Sequence, residues 1–284
     1  MYQTVGRAPF YNRLMTTSAD IAVYGSGITA HTTALLMADM GLRVQVSAPP
    51  VAKSAADIRA YAINHASRST LMAAGIWPAS GEAAWLTPVD HMRVFGDGVG
   101  QVLLDGQHHQ PVAWMVDVAA LEVLLAQKVS THSRISVCIA GSELTGTLSV
   151  LCEGKHSAWR AKLGIDTRPV VYPHRALAAR LQLTEPHGGV AQQWFDGDSI
   201  LALLPVGGAN GRELAMAWSM AQVACNDWVA QAHSEDGALA LAQAIQQASR
   251  HSFKDIKLVG SPVAFDLVLS RATQWVQPGV ALVG

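Results

Sequence analysis

The sequence predicts an α/β fold in which a nucleotide-binding βαβ unit is interleaved with a mostly antiparallel sheet layer. Two observations carry that expectation. Near the start, an apolar strand, a glycine-rich turn, a helical stretch, a glycine and a second strand follow in order. From about Val170 onward, short strand-like segments dominate, and Asn210-Gly211 marks a hairpin turn between two of them.

The first unit runs from Ile21–Tyr24 through Gly25-Ser26-Gly27-Ile28-Thr29-Ala30 into a helix over His31–Met40, closed by Gly41 and followed by the strand LRVQVS. In a GxGxxA turn, Gly25 permits the tight bend and Gly27 lets a pyrophosphate approach the backbone. Ala30 lets the helix pack closely on the strand. The helix N-terminus adds unpaired N–H groups and a positive dipole end. A dinucleotide site normally carries a carboxylate at the end of the second strand, to accept hydrogen bonds from the ribose. That position falls on Ala48, with Ser47 beside it; neither is acidic, so the adenosine end is expected to be held more weakly.

Further along, Leu121, Leu124, Leu125 and Val129 have helical spacing after Asp117, an N-cap residue. RISVCI reads as a strand, and LSVLCEGKHSAWR as a strand running into a loop. RALAARLQL, GVAQQWF, SILALLPV and ELAMAWSM read as strands, with Leu214, Met216 and Trp218 on one face. A helix is expected after Ser234, with Glu235 and Asp236 in its first turn and Arg250 and His251 at its end. Met216 reads as core and His187 as the cap of a turn. Pro278-Gly279 reads as a turn into a short buried strand, Val280–Val283.

Composition bounds the function. Half of the 284 residues are hydrophobic, only 14% are charged and the net charge is −1, so no basic face points to a nucleic-acid partner. Cys138, Cys152 and Cys225 have no CxxC spacing; they suggest a reducing compartment and argue against a disulfide framework or a metal site. No apolar run reaches the length of a membrane span. Residues 1–14 carry Arg7 and Arg13, no acid and no signal-peptide core, and read as a disordered extension before a natural start at Met15.

Four segments, in this order, resemble the ubiquinone-biosynthesis FAD-dependent hydroxylases, the UbiH/UbiF-like branch of the class A flavin monooxygenases. They are DIAVYGSGITAHTTALLMADMGLRV, DIRAYAINHASRSTLMAAGIWP, CEGKHSAWRAKLGI, and EPHGGVAQQWF followed by LALLPV. The likeness runs from Ala19 to Gly284. It implies a p-hydroxybenzoate-hydroxylase-like architecture: a Rossmann-like FAD-binding domain (15–76, 97–168 and 273–284) interleaved with a substrate domain (77–96 and 169–272). It implies FAD contacts from Gly25, Gly27, Ala30, Ser47, Arg59, Glu153, Gly154 and Gly284. It also implies that the chain stops at the glycine of a Gly-Asp pair whose aspartate holds the flavin's ribityl chain. A C-terminally truncated hydroxylase is therefore expected, inactive as given, with little or no flavin and with apolar surface near Val280–Val283 favouring self-association.

The chain departs from the family pattern at particular places. Glu153 stands for the family aspartate, Ala48 for the ribose-binding acid, and His174 where the family often has glutamine; the stretch between Cys138 and Cys152 is short. The resemblance implies NAD(P)H and O2 as co-substrates and hydroxylation of a polyprenylated phenol. An apolar sheet wall at Trp194, Leu203, Pro205 and Trp218 is the expected substrate pocket. The cofactor carries the difficult step, so no catalytic acid or base is named. A cytoplasmic enzyme is implied, with peripheral contact at the inner membrane, membership of a quinone-biosynthesis complex and homo-oligomerisation as associated expectations. Two other readings stand beside this one: a non-catalytic, weakly FAD-binding relative acting as a lipid-binding assembly component, and an FAD monooxygenase acting on an unrelated small aromatic.

The weakened ribose contact is directly testable. In the full-length protein, Ala48→Glu should tighten FAD binding about tenfold or more, because a regained charge-assisted hydrogen-bond pair contributes roughly 1.5–3 kcal/mol. An unchanged affinity in a folded variant, measured by FAD titration, rules out that role for position 48.

Overall fold

The computed structural model describes residues 19–47, 57–108, 110–139 and 141–284. The 1–14 extension and Ala48 lie outside the described residues. The chain opens with β1 (Ala19–Tyr24), α1 (Ile28–Asp39) and β2 (Val44–Ser47). Next come β3 (Ala60–Ile63), α2 (His65–Ala73), β4 (Leu86–Val89), β5 (His91–Phe95), β6 (Gln101–Asp105) and β7 (Ala113–Asp117). The first half closes with α3 (Val118–Thr131), β8 (Ile135–Cys138), β9 (Gly146–Leu151) and α4 (Ala158–Lys162). The second half contains β10 (Thr167–Gln182), β11 (Val190–Asp196), β12 (Ser199–Val206), β13 (Glu213–Ala221), α5 (Gln222–Gln231) and α6 (Glu235–Ala248). It ends with β14 (Lys257–Ala272), β15 (Val276–Gln277) and β16 (Val280–Leu282).

These strands form three sheets. One has the order β15-β16-β9-β1-β2-β8, with β16, β9, β1, β2 and β8 mutually parallel. Helices α1 and α3 pack on it, and Val23, Val46, Leu35, Leu121 and Leu125 meet in its core. Helix α1 runs from Ile28 to Asp39, three residues earlier at its start than the expected His31. The Asp117 carboxylate accepts from Ala120 N at 3.0 Å as the N-cap of α3. Gly41, at φ +95, ends α1 by donating to Ala38 O. A small antiparallel sheet, β3-β7-β4, lies beside it.

The largest sheet has the order β14-β10-β13-β12-β11-β5-β6, antiparallel except where β11 meets β5. Its cross-strand register sorts side chains onto two faces. Trp194, Leu201, Trp218 and Leu177 share one row across β11, β12, β13 and β10. They pack with Leu203, Leu214 and Met216 against Leu241 and Ile245 of α6. The adjacent row, Phe195, Ile200, Ser219 and Ala176, lies on the opposite face.

Several expectations change in detail. The segment after β9 is partly helical, because Ser157 caps α4 by accepting from Arg160 N. The hairpin between β12 and β13 forms, but its left-handed residues are Gly207 and Gly208. Gly211 is needed for a different reason: a Cβ there would meet the Val206 carbonyl oxygen. Helix α6 ends at Ala248, before Arg250 and His251, both of which have positive φ. Strand β16 is half-buried along its length rather than buried. The elements α2, α5 and β14 are not among those predicted. The expected boundary between 96 and 97 falls inside the β5–β6 hairpin, both strands of which belong to the large sheet.

Trp194, Leu203 and Pro205 are buried, with Trp218 partly so, and all four point to the α6 side. Their indicated role is to hold that helix, since Leu203 is fully buried among the cluster. Leu203→Ala should therefore cost about 2–5 kcal/mol of unfolding free energy, the usual range for a buried leucine. Chemical denaturation measures this; a loss under about 1 kcal/mol would show that position 203 borders a cavity.

Candidate functional site

The site is built where β1 ends. Gly25 has φ +132, and a Cβ there would lie 2.5 Å from the Cys152 carbonyl oxygen, so the turn crosses β9 at a separation only glycine permits. The Gly25 N–H donates to Ser47 O, which ties the turn to β2 as well. Ala30 is fully buried behind the turn and sets the close packing of α1 on β1. Gly27 is the N-cap, with extended backbone and no side-chain cap. A Cβ on Gly27 would meet nothing within 4 Å. With no side-chain cap, the first-turn N–H groups of α1 lack an acceptor among the described residues, as a phosphate-binding helix N-terminus requires.

A second boundary comes from β16. A Cβ on Gly284, at φ +103, would lie 3.2 Å from Thr29 Cγ2, which places this strand end beside the first turn of α1. On the other side of this strand end, bordered by the segment after β9 and by β10 and β14, opens a cleft of about 270 Å³. Glu153, Gly154, Lys155, Arg160, Trp275 and Gly284 are among its walls. Lys155 and Arg160 give it positive charge. Glu153 does not point freely into it: its carboxylate accepts from the Ser157 hydroxyl and from Trp159 N, which caps α4. Behind this wall the Tyr24 and Trp159 rings pack at 4.7 Å. Burial pushes the Cys152 thiol up to about 11, so it is an inert packing group.

Two further expected contact residues are engaged elsewhere. The Ser47 hydroxyl, nearly buried, donates to Ile139 O at 3.4 Å. Arg59 is held by Asp57 through Nε and Nη2, and its Nη2 lies 3.1 Å from Glu122. Those hydrogen bonds hold Arg59 firmly protonated and keep the Asp57 carboxyl below the usual carboxylate range. Arg180 of β10 completes the cluster. It donates to the Ile58 and Arg59 carbonyls and to Asp117 Oδ2, each at 3.0 Å. These bonds join the large sheet to the start of β3 and to the N-cap of α3. No local pattern announces this network, since Asp57, Glu122 and Arg180 come from three separate segments.

His187 caps a turn, as its sequence context suggests. Its Nδ1 accepts from Gly189 N at 3.0 Å and its Nε2–H donates to Val206 O at 3.1 Å. Among the described residues there is no cluster of ligating side chains that could hold a metal, and no helix long and apolar enough to cross a membrane.

No family model matches the chain. It is similar to the 3-demethoxyubiquinol 3-hydroxylase of Escherichia coli K12, with 27% identity over 93% of this chain and 72% of that protein. It is also similar to the ubiquinone hydroxylase UbiL of Rhodospirillum rubrum, with 27% identity over 94% of this chain and 66% of that protein. Among solved structures, PqsL, a probable FAD-dependent monooxygenase from Pseudomonas aeruginosa, superposes with a TM-score of 0.68 at 17% identity, covering 94% of this chain and 78% of PqsL. The p-nitrophenol 4-monooxygenase PnpA from Pseudomonas putida DLL-E4 gives 0.72 at 13% identity, covering 94% and 72%. The resemblance to ubiquinone-biosynthesis hydroxylases is supported, and the fold is that of the flavin-dependent monooxygenases.

Buried His187 gives a pH prediction. Burial, opposed by its backbone hydrogen bonds, lowers its pKa below the ordinary 6.5; burial lowers His31 likewise. The unfolded chain then binds more protons than the folded one below that pH, so stability is full above about pH 6.5 and falls on acidification. His187→Gln should flatten the fall by up to ~1.4 kcal/mol per pH unit. Thermal or urea unfolding between pH 7 and pH 5 measures it (roughly the window set by the unperturbed value).

Proposed function

We propose that this chain is the cofactor-binding and sheet framework of an FAD-dependent aromatic-ring hydroxylase of ubiquinone biosynthesis. Its substrate is a polyprenylated phenol, with NAD(P)H and O2 as co-substrates. The observation that carries the reading is the open face at Gly27. The turn fits a dinucleotide, because it leaves side-chain-free space beside unpaired N–H groups, with Gly284 on the far side. The two curated relatives are ubiquinone-pathway hydroxylases by name, which supports the pathway.

In this reading Gly25, Gly27, Ala30 and the α1 N-terminus would hold the pyrophosphate. Gly154 and Gly284 would border it, and Lys155 and Arg160 would balance its charge. The chemistry that FAD supplies when bound is hydride acceptance from NAD(P)H and activation of O2 for transfer to an electron-rich ring. The chain's own task is to position the reactants and exclude water. Arg180 acts at a distance from that chemistry, by fixing the large sheet against the nucleotide-binding part.

A second reading, a non-catalytic relative that binds FAD weakly, is favoured by one observation. Arg59, expected to reach the flavin, has its charge compensated by Asp57 and Glu122 within the protein.

Titration with FAD separates the two. Gly27→Val should raise the FAD dissociation constant at least about tenfold, equivalent to ~1.4 kcal/mol, while the circular dichroism spectrum stays unchanged. Gly25→Ala should instead destabilise the fold, because its Cβ collides with backbone. Equal FAD affinity in the parent and in Gly27→Val, both measured in the full-length protein, overturns the assignment of this turn, and no measurable affinity in the full-length parent favours the non-catalytic reading.

A further inference from the structure

The large sheet ends in an uncovered edge strand. Among the described residues, β6 pairs with β5 on one side and with no strand on the other. All five of its residues are exposed, and the middle three, Val102, Leu103 and Leu104, are apolar. Free edges are normally protected by a lysine, a proline or a bulge. β6 has none of these, and its one charged residue, Asp105, is engaged by His91 Nδ1 at 2.8 Å. The bonding phase of the ladder is fixed by its ends. Gly96 N donates to Gly100 O, and Gly106 N to Asp90 O. Bonded pairs alternate in an antiparallel ladder, so Val102 and Leu104 spend their main-chain groups on β5. Gln101, Leu103 and Asp105 therefore direct their N–H and C=O groups outward.

Two further features flank this edge. A cavity of about 560 Å³ touches Leu103, Leu104 and Asp105 in succession, and then Gln107, Pro111 and Val112. Successive strand residues point to opposite faces, so this space runs along the edge and not over one face. At the other end of the strand, the β5–β6 turn presents Val99, which is 100% exposed. That turn is nevertheless held in place. Arg250 donates to the Gly96 and Gly98 carbonyls at 3.3 Å, and Asp97 Oδ1 accepts from Gly197 N at 2.9 Å. A fixed turn that displays a bare valine is a knob without a hole.

We propose that β6 is the contact between two copies of this chain, joined antiparallel across a two-fold axis at Leu103. The outward groups set the register. Leu103 faces its own copy and Gln101 faces the partner's Asp105, so every outward N–H and C=O group falls in a bonded pair. Val102 stands opposite the partner's Leu104, which gathers four apolar side chains on one face. No charge faces a like charge across the axis. The same register puts Val99 opposite the partner's Gln107, beside the cavity at Pro111 and Val112. Knob and hole thus come from one surface, as an isologous contact requires. The two large sheets continue into one, and neither copy keeps a bare edge at β6. No residue of the nucleotide turn takes part, so the contact does not rest on the hydroxylase reading.

Sedimentation velocity and cross-linking by mild oxidation test the contact. The parent chain should shift from one-chain to two-chain mass as its concentration rises. Leu103→Pro removes one outward N–H, which a free edge tolerates, and should raise the dimer dissociation constant about tenfold or more. Leu103→Lys should do the same, and it keeps the test open if the proline variant fails to fold. Val99→Asp should also weaken the dimer, by replacing the apolar knob with a charge. In a Cys138→Ser background, Leu103→Cys should form a disulfide-linked dimer, because its two copies lie about 5.5 Å apart at Cα in this register. Val102→Cys should not, since its copies are diagonal neighbours about 7–8 Å apart. A parent that stays monomeric at every concentration overturns the inference and leaves the edge to another protein's strand. So does a dimer that survives both folded Leu103 variants, or equal cross-linking of the two cysteine variants. A dimer lost in Val283→Asp but kept in Leu103→Lys places self-association near Val280–Val283 and overturns it too.

Discussion

The architecture hangs on a single close approach. At Gly25 the chain passes over the end of β9 so tightly that one added carbon would sit 2.5 Å from the Cys152 carbonyl oxygen. This crossing lets β1 turn directly into α1 with the helix N-terminus at the carboxyl edge of the parallel sheet. Everything proposed for the nucleotide depends on it. The free N–H groups, the open side of Gly27 and the contact between Gly284 and Thr29 all follow from where that turn puts the first residues of α1. A substitution at Gly25 would disturb the sheet itself, whereas one at Gly27 would disturb only what the sheet presents.

Around that turn, polar groups are matched with partners in a way that separates structural from ligand-directed roles. Glu153 spends its carboxylate on capping α4, and Arg59 spends its guanidinium on Asp57 and Glu122. Arg180 joins the sheets through two backbone carbonyls and Asp117. Lys155 and Arg160 also line the cleft, with the Arg160 guanidinium donating to the Gly154 and Lys155 carbonyls. The distribution makes the Arg180 cluster a strut. Its worth lies in fixing geometry, since partly exposed ion pairs add little stability on their own.

The large sheet divides labour by the pleat. Alternation sends Trp194, Leu201, Leu203 and Met216 to α6, where burial of large apolar side chains stabilises the layer. The same alternation sends Ala176, Ser219 and Ile200 to the other face, where smaller residues leave room.

The sequence alone determined the βαβ unit, the N-caps at Asp117 and Ser234, the β-rich second half and the family resemblance. Each of these is written locally: a glycine pattern, a capping side chain, an apolar period. It did not determine which face of the sheet would be filled. Trp194, Leu203, Pro205 and Trp218 were expected as a pocket wall although each alone reads as core, because alternation fixes that residues share a face and not what covers it. Only the packing of α6 decided that. Strand β14 was also illegible: most of its residues stay exposed and Gly260 and Pro262 interrupt its pattern, so pairing with β10 rather than intrinsic periodicity makes it a strand. The fate of Arg59 was hidden for a similar reason. Its charge is balanced by Glu122, sixty-three positions away, and a partner that distant in the chain is chosen by the fold.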